Sequence, residues 1–232
     1  MRLSCRNLTF HYPETGKPVL RDLDWEINRP GFSALFGPSG VGKTYLARLI
    51  SGDVPPDAAE GEVVREGIDR YAYTYNLERL PGWAAVGRHL DRVTPAGRGE
   101  LRDRLVDVFG LERILGQRFS QLSLGQKNRI NLVRYLLQDF QLLILDESMA
   151  NVDEMTRERI LLAIKEMFPE TFFIYISHNV VEVSTFCRDI LVLRGSHKTP
   201  QGVKVAGLDL RQGEEKVPER LDRVMLEIVN AA

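Results

Sequence analysis

The stretch Phe32-Ser33-Ala34-Leu35-Phe36-Gly37-Pro38-Ser39-Gly40-Val41-Gly42-Lys43-Thr44 passes from a short apolar strand into a glycine-rich turn. A helical pattern follows, with apolar Leu46, Leu49 and Ile50, and closes at Ser51-Gly52. Residues 37–44 satisfy G-x-x-x-x-G-K-[ST] between a strand and a helix, the context in which that spacing has a mechanism. Glycines let the backbone curl so that N–H groups converge on phosphate oxygens, and the helix N-terminus adds positive potential. Lys43 is placed to meet the β and γ phosphates of a nucleotide, and the Thr44 hydroxyl to meet Mg²⁺.

Working outward, Leu142-Leu143-Ile144-Leu145-Asp146-Glu147 puts two carboxylates at the end of a buried strand, about 100 residues further on. In a parallel sheet that is the edge where ligands bind. Asp146 suits a metal ligand acting through water, and Glu147 a base for an attacking water. Leu122-Ser123-Leu124-Gly125-Gln126 reads as a helix start, with Ser123 as N-cap and Gln126 at capping-box spacing; such an end is also an anion site.

The remaining pattern is an alternation. Strands are expected at Leu3–Phe10, Val19–Ile27, 62–65, 71–75, 142–145, 171–176 and 189–193. Helices are expected at 124–139, 154–167 and 179–186. Residues 84–118 are Arg-rich, helical and interrupted by Pro95 and Gly97-Arg98-Gly99, which reads as an insertion. The alternation predicts an α/β domain with a mainly parallel sheet covered on both faces. Leu221, Val224, Met225 and Ile228 fall at helical spacing behind Pro218, predicting an amphipathic terminal helix.

Composition sets the bounds. The 232 residues carry 31 basic and 32 acidic side chains, a net charge of -1 that gives no overall reason to expect nucleic-acid binding. No apolar run approaches the roughly 18 residues of a membrane span, and the N-terminus has no secretory pattern. Cys5 and Cys187 form neither a disulfide framework nor a CxxC pair, as expected of reduced thiols in a cytosolic protein.

Taken together, the residues resemble the nucleotide-binding subunit of an ATP-binding cassette (ABC) transporter, loosely of the importer type serving nitrate and sulfonate. The phosphate loop 37–44, the signature 122–126, Asp146-Glu147, the D-loop Ala150-Asn151-Val152-Asp153 and the switch histidine His178 stand in that family's order over residues 1 to about 195. The resemblance implies the P-loop ABC-ATPase fold, with an N-terminal antiparallel β subdomain and a helical subdomain. Residues 1–75 and 141–195 would form the nucleotide-binding core, 76–140 the helical subdomain and 196–232 a tail with a helix. It also implies ATP hydrolysis with Mg²⁺ and a head-to-tail dimer with a second ATPase subunit. Each ATP would lie between loop residues Gly37, Pro38, Ser39, Gly40, Val41, Gly42, Lys43 and Thr44 of one subunit and Ser123, Gly125 and Gln126 of the other. Tyr12 would stack on adenine, Asp153 would belong to the D-loop, and Glu147 and His178 would carry catalysis. Transmembrane permease subunits would hold the chain on the cytoplasmic, inner face of the membrane.

Three departures follow. Asn76 stands nearest the family's metal-touching glutamine, with one methylene less and about 1.5 Å less reach. Leu124 replaces a signature glycine, and Ser148 a usual proline. Trp83, beside Leu80 and Val86, suits either a groove for a membrane-subunit helix or the subdomain core. The alternative function is a soluble ABC ATPase of nucleic-acid or ribosome biology. Members of that class usually carry paired cassettes or coiled-coil insertions, and this chain has neither.

Overall fold

The computed structural model describes residues 1–12, 15–54, 59–74 and 80–232. Two sheets form its frame. A three-stranded antiparallel sheet runs in the order β2 (Pro18–Ile27), β1 (Arg2–His11), β4 (Ala59–Glu66). A six-stranded sheet runs β5 (Tyr71–Thr74), β6 (Leu142–Asp146), β7 (Phe172–Ile176), β3 (Gly31–Phe36), β8 (Asp189–Leu193), β9 (Gly202–Ala206). Its first five strands are mutually parallel, as the alternation predicts.

The fully apolar strands are explained by burial on both faces. Side chains alternate across a strand, so Leu142, Ile144, Phe172 and Ile174 enter the core shared with the three-stranded sheet and α1 (Lys43–Ile50). Leu143, Leu145, Phe173 and Tyr175 enter the opposite core. There Phe32 stacks on Phe173 at 4.6 Å between ring centroids. This second core also takes α4 (Leu124–Leu136), α5 (Glu154–Met167) and α6 (Val180–Phe186), together with the helical insertion.

The insertion contains α2 (Val86–Val93), α3 (Gly99–Val108) and single 3₁₀ turns at 112–114 and 119–121. α5 and β8 have the bounds the sequence predicts. α4 ends three residues short of the expected Asp139, whose carboxylate sits 3.1 Å from Arg70 Nε. The terminal helix α7 (Pro218–Ala231) forms behind Pro218, with Val224 and Ile228 buried and Leu221 and Met225 half-buried.

One strand was not expected. β9 returns antiparallel onto β8, pairing Asp189 with Ala206 and Leu193 with Gly202. Segment 196–232 therefore extends the sheet and then covers it. Among the described residues no helix is long and apolar enough to cross a membrane.

Candidate active site

Three strand ends build the site. β3, β7 and β6 run in register, with Leu35 beside Ile176 and Ile176 beside Asp146, so their C-terminal ends finish level. The loop after β3 carries residues 37–44, the end of β6 carries Asp146 and Glu147, and the turn after β7 carries His178. One open cleft of about 280 Å³ is lined by Tyr12, Ser39, Gly40, Gly42, Lys43, Thr44, Tyr45, Asp146, Glu147 and His178.

The loop is shaped for backbone access. Gly42 has φ 110°, and a Cβ there would lie 2.7 Å from Val19 Cγ1; one at Gly37 would collide with the Leu193 carbonyl. Lys43 is buried, and its Nζ donates to the Gly37 and Pro38 carbonyls, both at 2.8 Å. The ammonium thus curls over the loop that Val41 and Pro38 complete. Burial lowers the Lys43 pKa, while Glu147 and Asp146 act in the opposite sense.

Two hydroxyls meet one carboxylate oxygen. Thr44 Oγ1 donates to Asp146 Oδ2 at 3.3 Å, and the Tyr73 hydroxyl donates to the same atom. A hydroxyl and a carboxylate converging beside the glycine loop are hard-oxygen donors of the kind Mg²⁺ prefers. The residues present fit that ion.

Glu147 occupies the left-handed region at φ 49°, a conformation costing about 1–3 kcal/mol in a non-glycine residue. The turn is held by its N–H donating to the Ile176 carbonyl at 3.1 Å and by Ala150 N–H donating to its carbonyl at 2.9 Å. This geometry brings Glu147 Oε1 within 2.6 Å of His178 Nε2. Across the cleft, Tyr12 meets Tyr45 edge-on at 5.1 Å between centroids.

The signature residues lie elsewhere. Ser123 Oγ accepts from Gln126 N–H at 3.2 Å, and Gln126 Oε1 accepts from Ser123 N–H at 2.8 Å, which is the expected capping box. Ser123 is exposed, and neither it, Gly125 nor Gln126 lines the cleft. A Cβ on Gly125 would strike the Asn151 carbonyl, and Asn128 Nδ2 donates to the Ala150 carbonyl at 2.7 Å, so the start of α4 is packed on loop 150–153. Asp153 caps α5, its Oδ1 accepting from Thr156 N–H at 2.9 Å; that bond lowers the carboxyl's pKa. Asn76 lies outside the described residues. Trp83 is 75% exposed, which removes it from the subdomain core and leaves it at the surface near half-buried Leu80.

Sequence reasoning missed Tyr73, Tyr45 and a buried cluster behind His178. Glu182 is 5% exposed and accepts from Tyr175 (2.8 Å), Ser177 (3.0 Å), Asn179 (3.0 Å) and Arg157. Burial first, then the Glu182 charge, pushes the Tyr175 phenol well above its usual pKa. Their places in short buried strands mark Tyr73 and Tyr175 as inward-facing, yet give no sign of which carboxylate each hydroxyl meets.

The ABC transporter family model matches residues 20–150. The chain is 34% identical over 182 residues to the molybdenum import ATP-binding protein ModC of Rhizobium etli, spanning 70% of this chain and 51% of that protein. It is 32% identical over 204 residues to ModC of Saccharophagus degradans, spanning 80% and 56%. The chain thus spans about half the length of these curated relatives. An ATP-binding subunit of an ABC transporter superposes with TM-score 0.75 at 21% identity, covering 99% of this chain and all of that one. A bacterial Atm1-family ABC exporter with ATP bound gives 0.76 at 21% identity, covering 99% of this chain and 41% of that one. At that identity the structural likeness speaks for the fold.

Proposed function

This chain belongs to the ABC transporter family, and on that premise we propose that it binds and hydrolyses ATP as the ATPase subunit of an importer. The observation that carries the reading is the convergence of Lys43, Thr44, Asp146, Glu147 and His178 on one cleft beneath the glycine loop. Loop 37–44 cradles the phosphates through its N–H groups, and Lys43 turns from its loop carbonyls to the β and γ phosphates. Thr44 and Asp146 would hold Mg²⁺, and Asn76, which lies outside the described residues, is proposed as a further ligand. The chemistry such an ion would supply there is positive charge to offset that of the β and γ phosphates.

Glu147 accepts the proton of the attacking water as the water oxygen bonds to the γ phosphorus. The bond from that phosphorus to the bridging oxygen breaks, and ADP departs with the electron pair. His178, already 2.6 Å from Glu147, orients the water and contacts the γ phosphate. Tyr12 stacks on adenine. Ser123, Gly125, Gln126 and Asp153 face the ATP of a second ATPase subunit, which their absence from the lining of their own cleft supports.

The ModC relatives are named for import, which supports that direction. Separate permease subunits would hold the chain at the inner face of the membrane, and exposed Trp83 is the proposed docking point for one of them. Co-purification with a polytopic partner in detergent supports the transporter; binding to ribosomes or DNA at physiological salt with no such partner overturns it.

The first test of the chemistry is Glu147→Gln. ATP affinity is expected to stay within about 2-fold while turnover falls by about 10²–10⁴. Wild-type turnover would remove Glu147 as the base.

A further inference from the structure

The turn that carries His178 has no regular secondary structure of its own, yet its neighbours are all fixed by one carboxylate. Glu182 Oε2 accepts from the Tyr175 and Ser177 hydroxyls, and Oε1 from Asn179 Nδ2 and from Arg157 Nη1. These donors stand on both sides of His178. Asn179 is doubly engaged, because its Oδ1 also caps α6 through Val181 N–H (3.0 Å) and Glu182 N–H (3.3 Å). Ser177 Oγ accepts from Asn179 N–H at 3.1 Å, closing the turn on itself.

Arg157 extends this brace. Its Nη2 donates to the Val152 carbonyl at 2.5 Å while Nη1 holds Glu182, so one planar guanidinium joins loop 150–153 to the histidine turn. A guanidinium suits the task because its donors are fixed in a fork, whereas an ammonium offers a single point of charge. The side chains are 22% and 6% exposed, so water competes little for either. A cleft of about 190 Å³ runs between this cluster and the Glu147–His178 pair, leaving the brace adjacent to the proposed chemistry without entering it.

We infer that Glu182 and Arg157 are positioning residues: Glu182 sets the orientation of the His178 turn, and Arg157 locks that turn to loop 150–153. The inference rests on the reading of Glu147 and His178 as the hydrolytic pair. Neither positioning residue lines the phosphate cleft, so their loss falls on the rate of the chemical step and spares nucleotide binding.

Single-turnover phosphate release and binding of a fluorescent ATP analogue, both with Mg²⁺, separate the two quantities. Glu182→Gln and Arg157→Gln are each expected to lower the hydrolysis rate about 10-fold or more, with affinity for the analogue within about 2-fold. Arg157→Lys should recover only part of the loss. In a His178→Ala background the same substitutions should cost almost nothing further, since they act through the missing imidazole. The double variant Arg157→Met/Glu182→Gln removes both charges at similar volume and guards against a folding defect; it should show the same split.

Losses that multiply with His178→Ala, or a fall in affinity equal to the fall in rate, would mean a merely structural pair and overturn the inference. A defect from Glu182 variants alone would overturn the part assigned to Arg157. Wild-type turnover by His178→Ala and Glu147→Gln would instead sink the functional reading on which the inference stands.

Discussion

Asp146 takes two hydroxyl donors on one oxygen, and they differ in kind. Thr44 belongs to the phosphate loop and is exposed, whereas Tyr73 reaches Asp146 from the neighbouring strand with its ring buried. Tyr73 thus holds the carboxylate that the proposed Mg²⁺ would meet. Tyr73→Phe keeps the ring packing and removes that bond. It is expected to raise the Mg²⁺ concentration for half-maximal ATPase by about 3- to 10-fold, the scale of one hydrogen bond's net contribution. Mn²⁺ binding in the presence of ATP, followed by electron paramagnetic resonance, should weaken in parallel; unchanged metal affinity would show the bond to be idle. That loop 37–44, Asp146 and Glu147 would meet in one cleft was legible because each lies in a contiguous motif whose spacing has a mechanism, whereas His178 was picked out by the family's order of motifs. Tyr73 was not, because its partner is 73 positions away and is chosen by strand pairing.

At the scale of elements, the repeating strands and helices could be read because burial writes itself as period 2 or 3.6 in the sequence. β9 escaped because Gly202-Val203-Lys204-Val205-Ala206 is short, sits at a sheet edge and presents a single buried side chain, Val205. Its position follows from long-range ties: Arg188 and Lys165 both bond to Asp209 just beyond it, and Gly207 N–H donates to the Arg188 carbonyl at 2.8 Å. α7 then seals the core over α6, with Ile228 fully buried. If this segment is a layer of the domain, Ile228→Ala should lower stability by about 3 kcal/mol through lost burial and the cavity left behind. Chemical denaturation would measure it as a shift of midpoint in a single transition. A change below about 0.5 kcal/mol would mark α7 as an appendage.

For the whole molecule, one chain holds a cleft with the phosphate loop and an exposed signature end at Ser123 that does not line it, with the start of α4 packed on loop 150–153. In the proposed head-to-tail pair both faces would be satisfied twice, with each ATP between the cleft of one copy and the signature of the other. Complementation between inactive variants tests this directly. Lys43→Ala disables the cleft of its own chain. Ser123→Asp keeps a good N-cap for α4 but sets a negative charge where the partner's γ phosphate would approach. Each variant alone should hydrolyse ATP at a small fraction of the wild-type rate. In an equimolar mixture about half the dimers pair one variant with the other, and each such dimer rebuilds one of its two sites from an intact cleft and an intact signature. Activity should then return to about a quarter of wild type, provided the copies exchange and the sites act independently. If ATP were instead closed within one chain, every site in the mixture would remain damaged and no activity would return. The measurement is steady-state phosphate release against mixing ratio, and its maximum at equal amounts is the signature of a site shared between copies.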